Sequence, residues 1–83
     1  MKREQILNVV IENIKLNVDG LENVEINPEK SIVQYGGSSL DIVEIVSSII
    51  RQLQIKIPRT QLADMNSIND LVDLLTKVKN EAS

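Results

Sequence analysis

The sequence predicts an all-α fold, a small four-helix bundle of three long helices and one short helix, with a long loop between the first two. Apolar residues recur at intervals of three and four in three separate segments, which is the spacing of an amphipathic helix. The stretch between the first two segments holds no two strand-like runs that would pair into a sheet. At 83 residues, the chain is predicted to be one domain, 1–83, near the lower size limit for folding without disulfides or metals.

The first helix is predicted from about Lys2 to Leu16. Asp19 and Gly20 are expected to end it, because glycine accepts the left-handed conformation found at helix C-termini. The apolar stripe predicted for this helix and its end consists of Leu7, Val10, Ile11, Ile14 and Val18, widened by Ile6 and Val9.

The segment from Leu21 to Ser38 shows no sustained hydrophobic period and contains Pro28, Gly36 and Gly37. We interpret it as a long loop held to the core by its aliphatic residues, with a helical turn after Pro28. A loop this long is uncommon in a small domain and is often functional.

The second helix is predicted from Ser39 to Leu53. Ser38 and Asp41 have the spacing of a capping box, in which each side chain accepts a hydrogen bond from the other's backbone amide. The predicted apolar stripe consists of Ile42, Val43, Val46, Ile49, Ile50 and Leu53.

Two further helices follow. Pro58 favours an extended connection at 55–58, because the residue before a proline avoids the helical region. A short helical turn is predicted at 59–64 and a last helix at 67–79, where Ser67 and Asp70 repeat the capping-box spacing. The predicted buried face of the last helix consists of Ile68, Leu71, Val72, Leu75 and Val78, and residues 80–83 are expected to fray.

The composition excludes several function classes. The chain has no cysteine and no histidine, which removes disulfides, thiolate nucleophiles, imidazole acid–base catalysis and the usual zinc sites. We therefore expect no catalytic residue, no metal site and no enzymatic activity. A net charge of −3 argues against a nucleic-acid partner. The sequence shows no signal peptide and no membrane-spanning stretch, so the predicted compartment is the cytoplasm.

One short motif stands out in a chain with three glycines. Gly36 and Gly37 lead directly into Ser38 and Ser39 at the predicted start of the second helix. This arrangement predicts a mobile, sterically open turn that presents a hydroxyl where backbone amides and the helix dipole favour an anionic group. Taken alone, the motif is more often an ordinary flexible turn with an N-cap serine, and this interpretation is favoured over a modification site.

The segment from Tyr35 to Val46 resembles the phosphopantetheine attachment segment of acyl carrier proteins. The resemblance extends from about Val24 to Val78, through the loop, the break at Pro58 and the last helix. The residues that match the family motif at family spacing are Gly36, Ser39, Leu40, Asp41, Val43 and Glu44.

The resemblance implies that Ser39 is the attachment site of 4′-phosphopantetheine, transferred from coenzyme A by a phosphopantetheinyl transferase. It further implies that the arm holds acyl groups as thioesters for acyltransferases, ketosynthases and related acyl-processing enzymes. Ser38 departs from the family, since fatty-acid carriers generally have aspartate there, and it removes one negative charge beside Ser39. The Gly-Gly-Ser-Ser-Leu version looks more like carriers of polyketide and nonribosomal peptide assembly.

The residues expected to contact partners are Ser38, Leu40, Asp41 and Glu44. Leu40 is interpreted either as an exposed apolar contact or as an ordinary core leucine of the first turn. Asp41 and Glu44 would form an acidic patch, or would only stabilise the helix dipole. No further acidic residue follows on this helix, so we expect recognition to depend more on shape and apolar contact.

The sequence therefore predicts a discrete, monomeric acyl carrier protein of polyketide or other secondary-metabolite biosynthesis, with a role in a β-branching cassette as the narrower hypothesis. Two alternatives remain open at this point. One is a peptidyl or aminoacyl carrier protein. The other is an unmodified helical interaction module in which Ser39 is only a helix cap.

Overall fold

The computed structural model describes residues 1–62 and 65–81, which form helices and connecting segments without a strand. The predicted all-α fold is confirmed. Four α-helices are present in the described residues, and a 3₁₀ helix, Val33–Tyr35, lies in the loop between the first two. The α-helices are α1 (Arg3–Asn17), α2 (Ser39–Leu53), α3 (Arg59–Leu62) and α4 (Ile68–Glu81).

Helix α1 packs against both α2 and α4. It ends at Asn17, with Val18 as its C-cap. The prediction of its buried stripe needs correction: Leu7 and Ile11 are only partly buried, whereas Ile6 is fully buried. The aliphatic core of the protein consists of Ile6, Val10, Ile14, Val18, Leu21, Ile26, Ile32, Ile45, Val46, Ile49, Leu53, Ile55, Ile68, Leu71, Val72 and Leu75.

Helix α2 has the predicted bounds but not the predicted face. Val43, predicted to belong to the buried stripe, is 58% exposed, while Ile45, absent from that prediction, has no exposed surface. Each residue turns an α-helix by about 100°, so these two residues lie on opposite flanks of the stripe through Val46 and Ile49. Packing against α1 buries the flank that carries Ile45.

The loop between α1 and α2 is attached to the start of α4. The amides of Ile68 and Asn69 donate to the carbonyls of Lys30 and Pro28, at 2.9 and 2.8 Å. These bonds satisfy first-turn amides that have no partner within their own helix. A turn follows Pro28 at 28–30, as predicted, and the 3₁₀ helix comes after it.

The side chain of Tyr35, at the end of the 3₁₀ helix, contacts two other residues of the same loop. Its hydroxyl accepts a hydrogen bond from the amide of Asn27 at 2.6 Å. The Lys30 ammonium group lies 5.8 Å from the centre of its ring, within the range of a cation–π contact. The loop therefore reaches α2 along a fixed path.

Helix α4 begins with the predicted capping box. The Asp70 amide donates to the Ser67 hydroxyl at 3.2 Å, and the Ser67 amide donates to the Asp70 carboxylate at 3.2 Å. The helix continues to Glu81, so the prediction that residues 80 and 81 fray is wrong. The predicted short helix is observed as α3, Arg59–Leu62, and the part of that prediction at 63–64 lies outside the described residues.

Polar side chains tie the helices together at two places. Asn13 is buried on α1, and its side-chain amide donates to the Val9 carbonyl at 2.8 Å and to Gln52 Oε1 at 3.0 Å. At the surface, Arg3 pairs with Asp73 at 2.7 Å and donates to Asn69 at 2.9 Å. Among the helices that the structure describes, none is long and apolar enough to cross a membrane.

Candidate functional site

The candidate site is the N-terminus of α2. Ser38 is the N-cap residue, with extended backbone angles. Its hydroxyl accepts a hydrogen bond from the Asp41 amide at 3.2 Å, and its own amide donates to the Asp41 carboxylate at 2.9 Å. The predicted capping box is confirmed. Because Ser38 is the cap, the alternative in which Ser39 serves only as a helix cap is wrong.

The turn before Ser38 is held by two backbone hydrogen bonds. The 3₁₀ helix ends at Tyr35 and is followed by Gly36, which adopts the left-handed conformation with φ of 92°. The Gly36 amide donates to the Val33 carbonyl at 2.9 Å, and the Gly37 amide donates to the Ile32 carbonyl at 3.0 Å. This is the double hydrogen-bond pattern of a Schellman motif.

Gly37 is buried against Ile32. A Cβ atom added at Gly37 would lie 2.5 Å from Ile32 Cγ2, so any side chain there would collide with this residue. The prediction of a sterically open turn is therefore wrong at Gly37. Sequence reasoning missed this contact, because Ile32 lies in the loop, where no hydrophobic period indicates what it packs against.

Ser39 is exposed and is the first residue of α2. The amides of Asp41 and Ile42 are bound to the Ser38 side chain and carbonyl. The amides of Ser39 and Leu40 belong to the first turn, where no carbonyl of the same helix can accept them. A phosphodiester attached to the Ser39 hydroxyl fits here, since helix N-termini favour anions.

Exposed apolar side chains follow Ser39 in the first turns of α2, and another lies in the 3₁₀ helix. Leu40 is 72% exposed, which excludes the interpretation of a core leucine, and Val33 and Val43 are also largely exposed. Of the two predicted acidic contacts, Glu44 is exposed and Asp41 is partly buried, with its carboxylate in the capping box. The surface next to Ser39 is therefore mainly apolar, with Glu44 as the exposed carboxylate on α2.

A cavity of about 730 Å³ opens beside this surface. Its walls come from the loop, α2, α3 with its flanking residues, and Leu71 of α4. Val33 and Val43, both exposed, border it, and Ile32 and Val46 line its apolar interior. Across residues 1–62 and 65–81, no group of three or more acidic side chains is placed to hold a metal ion.

The chain matches a family model described as the phosphopantetheine attachment site over residues 4–75. It is 32% identical over 75 residues to the polyketide biosynthesis acyl-carrier-protein AcpK of Bacillus subtilis, covering 90% of this chain and 92% of that protein. It is 35% identical over 80 residues to the meromycolate extension acyl carrier protein of Mycobacterium leprae, covering 95% of this chain and 69% of that protein.

The fold is also similar to a solved structure. A chain of the crystal structure of the curacin biosynthetic pathway HMG synthase in complex with acetyl donor-ACP superposes with a TM-score of 0.82 at 30% identity, covering 89% of this chain and 95% of that chain. The exposed serine at a helix start thus lies within a matched attachment region and a matched fold. The chain belongs to the acyl carrier protein family, whose members carry acyl groups on 4′-phosphopantetheine and are not enzymes.

Proposed function

We propose that Ser39 carries the 4′-phosphopantetheine arm of this acyl carrier protein. The observation that supports this most directly is that Ser39 is exposed at the first position of α2, with Ser38 already acting as the cap. Ser47 is also exposed on α2, but it lies two turns further along, away from the first-turn amides that favour an anion.

The attachment reaction follows from the chemistry of a serine hydroxyl. Ser39 Oγ forms a bond to the phosphorus that bears the pantetheine group of coenzyme A. The bond from that phosphorus to the other phosphate breaks, and adenosine 3′,5′-bisphosphate leaves. The hydroxyl proton passes to a base of the phosphopantetheinyl transferase. When bound, the arm supplies a thiol that holds acyl groups as thioesters.

The protein's own contribution is to tether and present the arm. A long flexible arm raises the effective concentration of its acyl group at each partner's active site. The exposed Leu40, Val43 and Glu44 beside Ser39 then form the surface on which partners dock. Enzymes that dock here bring their active sites within reach of the arm.

We place this carrier in polyketide biosynthesis, with an HMG synthase of a β-branching cassette as a partner. The similarity to a polyketide carrier of Bacillus subtilis supports the pathway class. The fold similarity to a chain from a complex of an HMG synthase with acetyl donor-ACP supports the partner class. We further propose that the carrier acts in the cytoplasm and is a monomer. Light scattering of the purified protein should give the mass of one chain.

Intact mass spectrometry tests the attachment. The chain is incubated with coenzyme A and a broad-specificity phosphopantetheinyl transferase, and we expect the mass gain of one arm. Ser39→Ala should abolish the gain, and the matched variant Ser47→Ala, on the same helix, should keep it. An unmodified wild-type chain, or a gain that persists in Ser39→Ala, would refute the proposal.

The partner class is tested separately on the modified chain. The holo chain is loaded with an acetyl group and incubated with an HMG synthase of a polyketide pathway and an acetoacetyl-loaded carrier. We expect loss of the acetyl thioester, seen by mass, that depends on the synthase. If the acetyl group stays on the chain while a known donor carrier reacts, the β-branching role is wrong and the attachment is unaffected.

A further inference from the structure

An exposed ridge of side chains runs along α2, away from the buried Ile45 and Ile49. Its members are spaced at intervals of three and four residues, and each is exposed: Leu40, Glu44, Ser47 and Arg51. Because each residue turns an α-helix by about 100°, these four side chains lie within about 60° of one another around the axis. We call this set the α2 ridge.

The α2 ridge carries two charges of opposite sign. Glu44 and Arg51 are seven residues apart, which places them on the same face at a separation of about 10 Å along the axis. No acidic residue lies three or four positions from Arg51, and no basic residue lies three or four positions from Glu44. Neither charge can therefore pair along its own helix. Within the part of the chain that the structure describes, neither makes an ion pair with another residue.

An enzyme that docks beside Ser39 reaches Arg51. A standard protein–protein interface covers about 800 Å² on each partner, which is a patch of about 16 Å in radius. Arg51 is eight residues from Val43, or about 12 Å along α2. A partner centred on Leu40 and Val43 therefore covers the guanidinium group as well.

A covered guanidinium group needs new partners for its charge and its N–H donors. It loses water when the interface closes, and this loss is costly unless a paired charge replaces the water. A carboxylate is the matching group, since it accepts two parallel hydrogen bonds from arginine. A uniformly basic partner surface would instead be repelled by Arg51. The α2 ridge thus fits a surface that is apolar beside Leu40, basic opposite Glu44 and acidic opposite Arg51.

We propose that the HMG synthase partner docks on the α2 ridge and presents a carboxylate to Arg51. This inference rests on the proposed function and deepens it by assigning a partner contact to the C-terminal half of α2. Arg51 touches neither the arm nor the acyl group. Charges of opposite sign at the two ends of the ridge fix the direction in which the synthase lies along α2, because the reversed orientation brings like charges together.

Steady-state kinetics of the acetyl-loaded chain with an HMG synthase of a polyketide pathway test this contact. At low salt, Arg51→Gln should raise KM about tenfold and Arg51→Glu should raise it further, with kcat within about twofold, because docking changes and the chemistry does not. Arg51→Lys keeps the charge but not the paired hydrogen bonds, and its KM should be intermediate. Lys77→Gln, at an exposed lysine of α4, removes the same charge as Arg51→Gln and should keep the wild-type KM.

Salt dependence separates docking from the stability of α2. Arg51 lies in the last turn of α2, where a cation also stabilises the helix dipole, so thermal melts establish that each variant is folded at the assay temperature. The difference in KM between the wild type and Arg51→Gln should shrink as NaCl screens the contact. Equal KM values for the wild type and folded Arg51→Glu at low salt, or an equal rise in KM for Lys77→Gln, would overturn the inference.

Charge exchange identifies the carboxylate on the synthase. Exposed acidic residues around its active-site entrance are replaced by lysine one at a time, and one of these variants should restore the KM of Arg51→Glu. If none does, Arg51 does not face a carboxylate and the inference is wrong. A chain that takes the arm but is never consumed by the synthase would refute the partner class and this contact with it, whereas a chain that is never modified would refute attachment at Ser39.

Discussion

Ser38 and Asp41 satisfy each other's backbone amides across the first turn of α2, with hydrogen bonds of 2.9 and 3.2 Å. Because of these two hydrogen bonds, helix capping is performed by Ser38 and not by the adjacent Ser39. Ser38 caps the helix, and Ser39, the proposed attachment site, is exposed and has no capping role. Ser38 therefore keeps the cap without the negative charge of the aspartate that fatty-acid carriers generally have at this position.

Removing the cap should destabilise the protein without removing the attachment site. We expect Ser38→Ala to lower the free energy of unfolding by about 1 kcal/mol, which corresponds to a fall in Tm of roughly 4–8 °C for a domain of this size. Ser38→Asp, which preserves an N-cap acceptor, should melt close to the wild type. Thermal melts followed by circular dichroism make the comparison, and a Ser38→Ala melt that matches the wild type would show that the capping box contributes nothing.

Val43 and Ile45 provide a test of which face of α2 enters the core. Ile45→Ala should cost about 2–5 kcal/mol, because it leaves a cavity in a packed interior. Val43→Ala should change stability by less than about 0.5 kcal/mol, as expected for a surface substitution. Urea unfolding measures both values. Equal losses from the two variants would contradict the observed exposure of 0% for Ile45 and 58% for Val43.

The same two residues show how far the sequence could predict this fold. The helical spacing identified α2 and its capping box, because both depend on residues close together in the chain. Isoleucine and valine occupy both flanks of the stripe, so composition gave no reason to turn one flank inward. Contact with α1 makes that choice, and such a long-range contact leaves no periodic signal.

Asn13 is a buried polar residue that the hydrophobic pattern did not indicate. Its amide bonds to Gln52 and to the Val9 carbonyl, linking α1 to α2. Gln52→Ala removes one partner of a buried donor, and we expect a loss of about 1–3 kcal/mol. Gln61→Ala, at an exposed glutamine of α3, is the matched control. Denaturant unfolding measures both variants, and equal stabilities would mean that the Asn13–Gln52 bond has no net value.

The motif predicted one part of the candidate site, Ser39 and its neighbours, but not the packing of the turn before it. Ser39 and its neighbours follow from the residues and their resemblance to acyl carrier proteins, since the motif is continuous in sequence. The packing of the turn before Ser38 could not be predicted in this way. The sequence shows two glycines, but it does not show that Ile32 lies against one of them. Glycines that allow close approach and glycines that give freedom look alike in a sequence.

Leu40 and Leu16 are both exposed leucines, at 72% and 81%. Comparing their substitutions tests whether an apolar side chain beside Ser39 has a specific role in docking that an exposed leucine elsewhere lacks. Leu40→Ala should raise the KM of the chain for a phosphopantetheinyl transferase by about tenfold, equivalent to 1.4 kcal/mol of binding. Leu16→Ala, on α1, should leave KM within about twofold, and both variants should melt like the wild type.

Because the docking surface is mainly apolar, the Leu40→Ala effect should persist at high NaCl, whereas any effect of Glu44→Gln should shrink as salt screens the exposed charge. Equal KM values for the two leucine variants would show that the surface beside Ser39 does not guide docking.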